Sequence, residues 1–159
     1  MTHAALPSGF NRFLVAAKRA TYAAQGDAAS VSPLLLDSKQ LEFREGDFLY
    51  RDIYVGMLRF VGQEVVYFGN RAVWSMSYSG GMSEGVERSL IRPVYAFLRQ
   101  ALTAVPDHLP LRGPASFEEG SMSYALRCKG SLDRFDGFEE IIRSDERLYE
   151  LHFAGGALA

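Results

Sequence analysis

Asp52, Glu64 and Glu139 are the residues whose surroundings point most clearly to chemistry. Asp52 alternates with Phe48, Tyr50 and Tyr54, so on a β-strand its carboxylate shares a face with three aromatic rings. A carboxylate on an apolar face needs a partner or a task, because burying it uncompensated is costly. The structural partner would be a tyrosine hydroxyl, Arg51 or Arg59. Glu64 shares a face with Phe60 and Val66, and Glu139 with Phe135 and Ile141. Each glutamate has an arginine close by in sequence, Arg59 or Arg134, and pairing with it is the structural explanation. Two further arrangements stay open. Gly62 and Gly137 could mark bulges that turn both glutamates outward, or the two carboxylates could meet near a twofold axis.

Tyr50, Tyr54, Tyr67, Tyr78 and Trp74 fit sheet packing, since strands favour aromatic residues. Beside two carboxylates they equally fit a site for a small cationic or aromatic molecule, held by ring faces and a counter-charge. Tyr50, Asp52, Tyr54, Glu64, Trp74, Tyr78 and Glu139 form the expected ligand-binding set. No catalytic residues are assigned, although Asp52 with Glu64 would suit an acid–base hydrolase or isomerase. His3, His108 and His152 lack metal-ligand spacing, and Cys128 stands alone, so no metal, cofactor or disulfide framework is expected. Cys128 reads as a small core residue. There is no GxSxG and no glycine-rich phosphate loop. In Arg112-Gly113-Pro114 a tight turn carries an arginine suited to an anion.

The elements that must position these groups occur twice. Phe43, Glu45, Gly46, Tyr50, Gly56 and Leu58 recur as Phe117, Glu119, Gly120, Tyr124, Gly130 and Leu132. After one extra residue, Asp133, the residues Arg59, Phe60, Gly62, Glu64, Gly80 and Gly81 recur as Arg134, Phe135, Gly137, Glu139, Gly155 and Gly156. Twelve identities in 39 positions compare with about two or three expected from average residue usage. A tandem duplication follows, with pseudo-repeats at about 9–81 and 93–156 of a single domain, 1–159.

Each repeat reads as a helix and a three-stranded antiparallel meander. Phe10, Phe13, Leu14, Ala17 and Thr21 share a helical face, with Ser8 as N-cap and Gly26 as stop. Residues 26–40 read as a loop, and strands follow at about 47–55, 59–68 and 72–79. Pro93 fits the first turn of a second helix, whose stripe is Val94, Phe97, Leu98, Ala101, Leu102 and Val105. A loop, Pro106 to Pro114, precedes strands at about 121–129, 134–143 and 147–153. The expected fold is α+β, two helices packed on a roughly six-stranded antiparallel sheet. Asp52 aligns with Leu126, so the first repeat should have the more polar interior.

A net charge of −2 and the lack of a basic run argue against a nucleic-acid or membrane surface. The chain has neither the pattern of a secretory leader nor a stretch long enough to span a membrane, so a cytoplasmic location is expected.

The stretches FLVAAKRATYA, LEFREGDFLYRDIYVG, RFVGQEVVYF, AVWSMSY and LYELHFAGG, with the loop RGP, resemble an uncharacterised bacterial family of unknown function. The resemblance runs from Phe13 to Gly156. It implies a small standalone protein, with relatives fused behind helix-turn-helix regulators, and it carries over no catalytic residues. The expected function is a non-catalytic, effector-sensor-like ligand-binding domain with an acidic, aromatic groove. The alternative is a homodimeric interaction module.

Overall fold

A computed structural model of the chain describes residues 5–25 and 30–158. Apolar residues three and four apart make the first helix, α1 (Phe10–Ala20), which buries Phe10, Phe13, Leu14 and Ala17 along one stripe. Its N-cap is Gly9, at φ 82, rather than Ser8. The Thr21 amide and hydroxyl both donate to the Ala17 carbonyl, and a single turn, α2 (Tyr22–Gln25), follows. Gly26, the expected stop, lies outside the described residues.

The other long helix, α3 (Arg88–Thr103), begins five residues before Pro93. Pro93 is therefore an interior residue of the helix and not part of an opening turn, and it removes the one bond its amide would have given to Ser89. Val94, Phe97, Leu98, Ala101 and Leu102 are buried as the spacing predicts.

The described strands are β1 (Ser30–Val31), β2 (Lys39–Glu45), β3 (Phe48–Gly56), β4 (Arg59–Phe68), β5 (Arg71–Met82), β6 (Ser116–Glu119), β7 (Met122–Ser131), β8 (Arg134–Arg143) and β9 (Glu146–Ala157). They form one antiparallel sheet in the order β1-β2-β3-β4-β5-β9-β8-β7-β6. The α+β class therefore holds, but the expected six strands are too few. Eight strands of four residues or more are joined by the two-residue β1. Each half contributes a four-stranded meander, β2–β5 or β6–β9. Sequence reading missed β1, β2 and β6: β1 and the start of β2 fall in the expected loop 26–40, and β2 and β6 are rich in charged residues, as suits positions at or near a sheet edge.

The registers of the two meanders correspond. Phe43 faces Tyr50 and Phe117 faces Tyr124; Asp52 faces Glu64 and Leu126 faces Glu139. A bulge falls at Val66/Tyr67 in one and at Ile141/Ile142 in the other. Where β5 meets β9, Tyr78 faces Phe153, Gly80 faces Leu151 and Met76 faces Gly155. That pairing is reciprocal, as at a twofold seam.

One hydrophobic cluster draws on both halves. Phe13 of α1 stacks on Phe48 at 4.7 Å and lies 5.7 Å from Phe43, while Phe97 of α3 sits 5.5 Å from Phe117. Cys128 is only half-buried at the margin of this core. Among the described residues, no helix is long and apolar enough to cross a membrane.

Candidate functional site

Strand alternation puts Asp52 on β3 and Glu64 on β4 directly opposite one another, both facing the helices. Asp52 is 6% exposed and Glu64 2%. The Tyr78 hydroxyl on β5 donates to Asp52 Oδ1 at 2.6 Å. Of the structural partners considered for Asp52, the tyrosine is the one found. Gly62, across from Tyr78, makes this reach possible: a Cβ there would fall 2.3 Å from the Tyr78 hydroxyl oxygen. Gly137 gives the same clearance to Phe153. These glycines therefore admit a ring and are not bulges, and the glutamates two residues further along, Glu64 and Glu139, point inward.

Glu64 is held by Lys18, whose Nζ donates to Oε2 at 2.6 Å. Lys18 sits one turn beyond Leu14 on the apolar stripe of α1 and is 8% exposed. Glu139 is fully buried and accepts four bonds, two from Arg112 and one each from the Tyr124 and Tyr149 hydroxyls. The expected partners Arg59 and Arg134 take no part. Among the described residues Arg59 reaches only Glu84, at 4.0 Å and exposed, because its strand position faces away from the core. Glu64 and Glu139 do not meet, since β5 and β9 lie between their strands.

Between the sheet and α3 lies a cavity of about 650 Å³. Asp52, Glu64, Lys18 and Arg112 line its polar part, with Lys39, Arg92 and Arg99 also in the lining; Tyr54, Phe60 and Leu98 are among its apolar walls. Tyr50 and Tyr78 line it too, so five of the seven expected ligand-binding residues come together here. Trp74 and Glu139 do not line it. Trp74 stacks on Phe135 and donates from its indole nitrogen to the Leu132 carbonyl, deep in the core. At the cavity's rim the Tyr95 hydroxyl donates to the Met57 carbonyl, tying α3 to the β3–β4 turn.

Burial shapes the electrostatics. Desolvation, then the facing Glu64, push Asp52 up to about 7, against the Tyr78 hydrogen bond and the cations Lys18 and Arg112. Desolvation lowers Lys18 despite Glu64. Desolvation and the nearby carboxylates raise Tyr50 and Tyr78 far above the ordinary phenol range, so both stay neutral donors. For Arg112 desolvation opposes the charge, but Glu139, Tyr149 and Tyr124 together outweigh it and the guanidinium stays ionised. Among the described residues no cluster of three or more His, Cys, Asp or Glu could hold a metal ion.

Sequence reading missed two members of this network. Lys18 was legible as the single cation on the α1 stripe, in line with Leu102 of α3 when the shared Phe-Leu-x-x-Ala phrases are aligned. Arg112 was noted as an anion binder, but its anion is a carboxylate of the same chain.

Gly62→Ala is expected to destabilise the fold by about 1–3 kcal/mol, because the added methyl overlaps the Tyr78 ring and the Tyr54 Cβ. Chemical denaturation of the purified variant measures it; an unchanged midpoint would show that Tyr78 moves aside freely.

The fold and site define a class: an α+β protein whose antiparallel sheet carries an ionisable cluster under a helix-covered cavity. The family model described as "Domain of unknown function (DUF5680)" matches residues 52–158, and the chain belongs to that family. The matched stretch includes Asp52, Glu64, Tyr78, Arg112 and Glu139, while Lys18 and Tyr50 precede it. Neither the curated proteins nor the solved structures yield a match.

Proposed function

We propose that the chain is a non-catalytic small-molecule-binding domain of the effector-sensor kind. Its site is the cavity under α3, and its ligand is a small cationic or aromatic molecule. Asp52 carries this reading: among the described residues it has no ion-pair partner, although it is buried and lines an open cavity. Lys18 serves Glu64 and Arg112 serves Glu139. With Lys18 paired to Glu64 and Arg112 to Glu139, an ionised Asp52 is the carboxylate of this cluster left without a paired cation, and a singly charged cation would supply one. Aromatic walls at Tyr54 and Phe60 suit a flat apolar body.

Dye binding tests the reading, with crystal violet as an aromatic cation and fluorescein as an aromatic anion. Crystal violet should bind and fluorescein should not. Asp52→Leu should weaken crystal violet at least tenfold while raising stability, since leucine suits an apolar face. Full binding by a stabilised Asp52→Leu variant would remove Asp52 from the site.

We also infer that the two halves derive from one duplicated helix-plus-meander unit. The matched registers, the bulges at equivalent places and the reciprocal β5–β9 seam support it. Leu102 and Leu126 would then be the ancestral type at the places taken by Lys18 and Asp52, and the first half would have acquired the polar site. A sensor of this kind acts in the cytoplasm, alone or fused behind a helix-turn-helix regulator. A second reading, a homodimeric interaction module, is favoured by exposed Val55, Met57, Leu58 and Val61 on the β3–β4 hairpin. Light scattering separates the two, since a strict monomer with a dye-binding cavity counts against the dimer.

A further inference from the structure

The cluster under the cavity leaves one oxygen of each facing carboxylate unused. Asp52 accepts its hydrogen bond at Oδ1 and Glu64 its side-chain bond at Oε2. Asp52 Oδ2 and Glu64 Oε1 accept none from the described residues. No buried side-chain oxygen among those residues lacks a partner, so these two oxygens are not sealed in protein. Both residues line the cavity and both are more than nine-tenths buried, so the cavity is where the oxygens open. Asp52 and Glu64 are directly opposed across β3 and β4, so the two open oxygens belong to separate carboxylates on neighbouring strands. Two acceptors on separate carboxylates suit a donor with two diverging N–H groups better than a compact ammonium. The Lys18 ammonium already supplies a point charge on the far oxygen of Glu64.

We propose that the ligand's charged end is a planar, forked N–H donor, an amidinium or guanidinium on an apolar, aromatic body, bridging Asp52 Oδ2 and Glu64 Oε1. This rests on the cavity being a ligand site and specifies its head group. The positive charge supplies the counter-ion that Asp52 lacks, and the aromatic body lies between Tyr54, Phe60 and Leu98.

Calorimetric titration with four probes that share a phenyl body tests it: benzamidine, phenylguanidine, benzylamine and benzyltrimethylammonium. The two forked cations should bind at least tenfold more tightly than benzylamine. Benzyltrimethylammonium, which has no N–H, should bind more weakly still. Glu64→Gln should reduce benzamidine to near parity with benzylamine, whereas Asp52→Asn should weaken all of the cations. Should Glu64→Gln leave Lys18 uncompensated and unfold the chain, Lys18→Met with Glu64→Gln removes both charges and answers the same question. Equal binding of all four probes overturns the fork and leaves the aromatic-cation site standing. Failure of every cation to bind, with crystal violet also excluded, overturns the cavity reading itself.

Discussion

Replacing Asp52 by Asn should remove a component of pH-dependent stability worth about 4 kcal/mol. The carboxyl moves from 3.8 to about 7 on folding, mainly through desolvation and then through Glu64 opposite. Between those values the folded chain holds a proton that the unfolded chain has lost. Stability from this group is therefore full below about pH 4, falls as pH rises, and is gone above about pH 7. The titratable and charged groups around Asp52 are Tyr50 on its own strand, Glu64 from β4, Tyr78 from β5, Lys18 from α1 and Arg112 from the loop after α3, while β2 presents Leu41 opposite it. An asparagine oxygen still accepts from Tyr78, so the packing is kept and only the titration is lost. Urea titrations of both proteins from pH 4 to pH 8 measure the effect. The variant should be of similar stability to wild type at pH 4 and clearly more stable at pH 8. A difference that stays constant with pH would mean that Asp52 titrates as an ordinary surface carboxyl. Ligand binding should follow the opposite trend. A cation favours the ionised carboxylate, so affinity for crystal violet should rise as pH passes through about 7.

Arg112→Leu is expected to cost about 3–5 kcal/mol, because it strands Glu139 without a counter-charge in the core. Glu139 would keep the Tyr124 and Tyr149 hydroxyls, which support a carboxylate but do not neutralise it. Adding Glu139→Leu to that variant should recover much of the loss, since replacing a buried pair by apolar side chains is often close to neutral. Denaturant midpoints of the single and double variants measure the coupling. If the double variant were as unstable as Arg112→Leu alone, Arg112 would act through packing and not through its charge. Dye binding is a separate readout: Glu139 does not line the cavity but Arg112 does, and its charge acts on Asp52, so losing that cation should strengthen the affinity of the double variant for crystal violet.

Much of this site was legible from alternation alone. Asp52, Tyr50, Tyr54 and Tyr78 each fall on the buried side of a strand, because a period of two leaves a strand residue only two faces to choose from. The internal repeat then marked Asp52 as an exception, with Leu126 at the matching register position. Ion-pair partners were not legible in the same way. Arg59 is five residues from Glu64 and looked the natural partner. Odd and even positions on a strand point to opposite faces, however, so five residues put the two on different sides of the sheet. The actual partners, Lys18 and Arg112, are 46 and 27 residues from their glutamates.

The sequence by itself determined the two long helices, six of the nine described strands, the buried face of β3, β5, β7 and β9, and the chemical oddity of Asp52. These follow from local periodicity, which a chain carries wherever it folds. Only the tertiary structure decided which cation neutralises which carboxylate, which carboxylate oxygens stay open, and which aromatic residues line a cavity. Trp74 and Tyr78 lie four residues apart on the same face of β5, yet one is packed in solid core and the other lines the cavity. Nothing along the strand separates them. What does is the path of α1 and α3 across the sheet, set by packing between residues far apart in the chain.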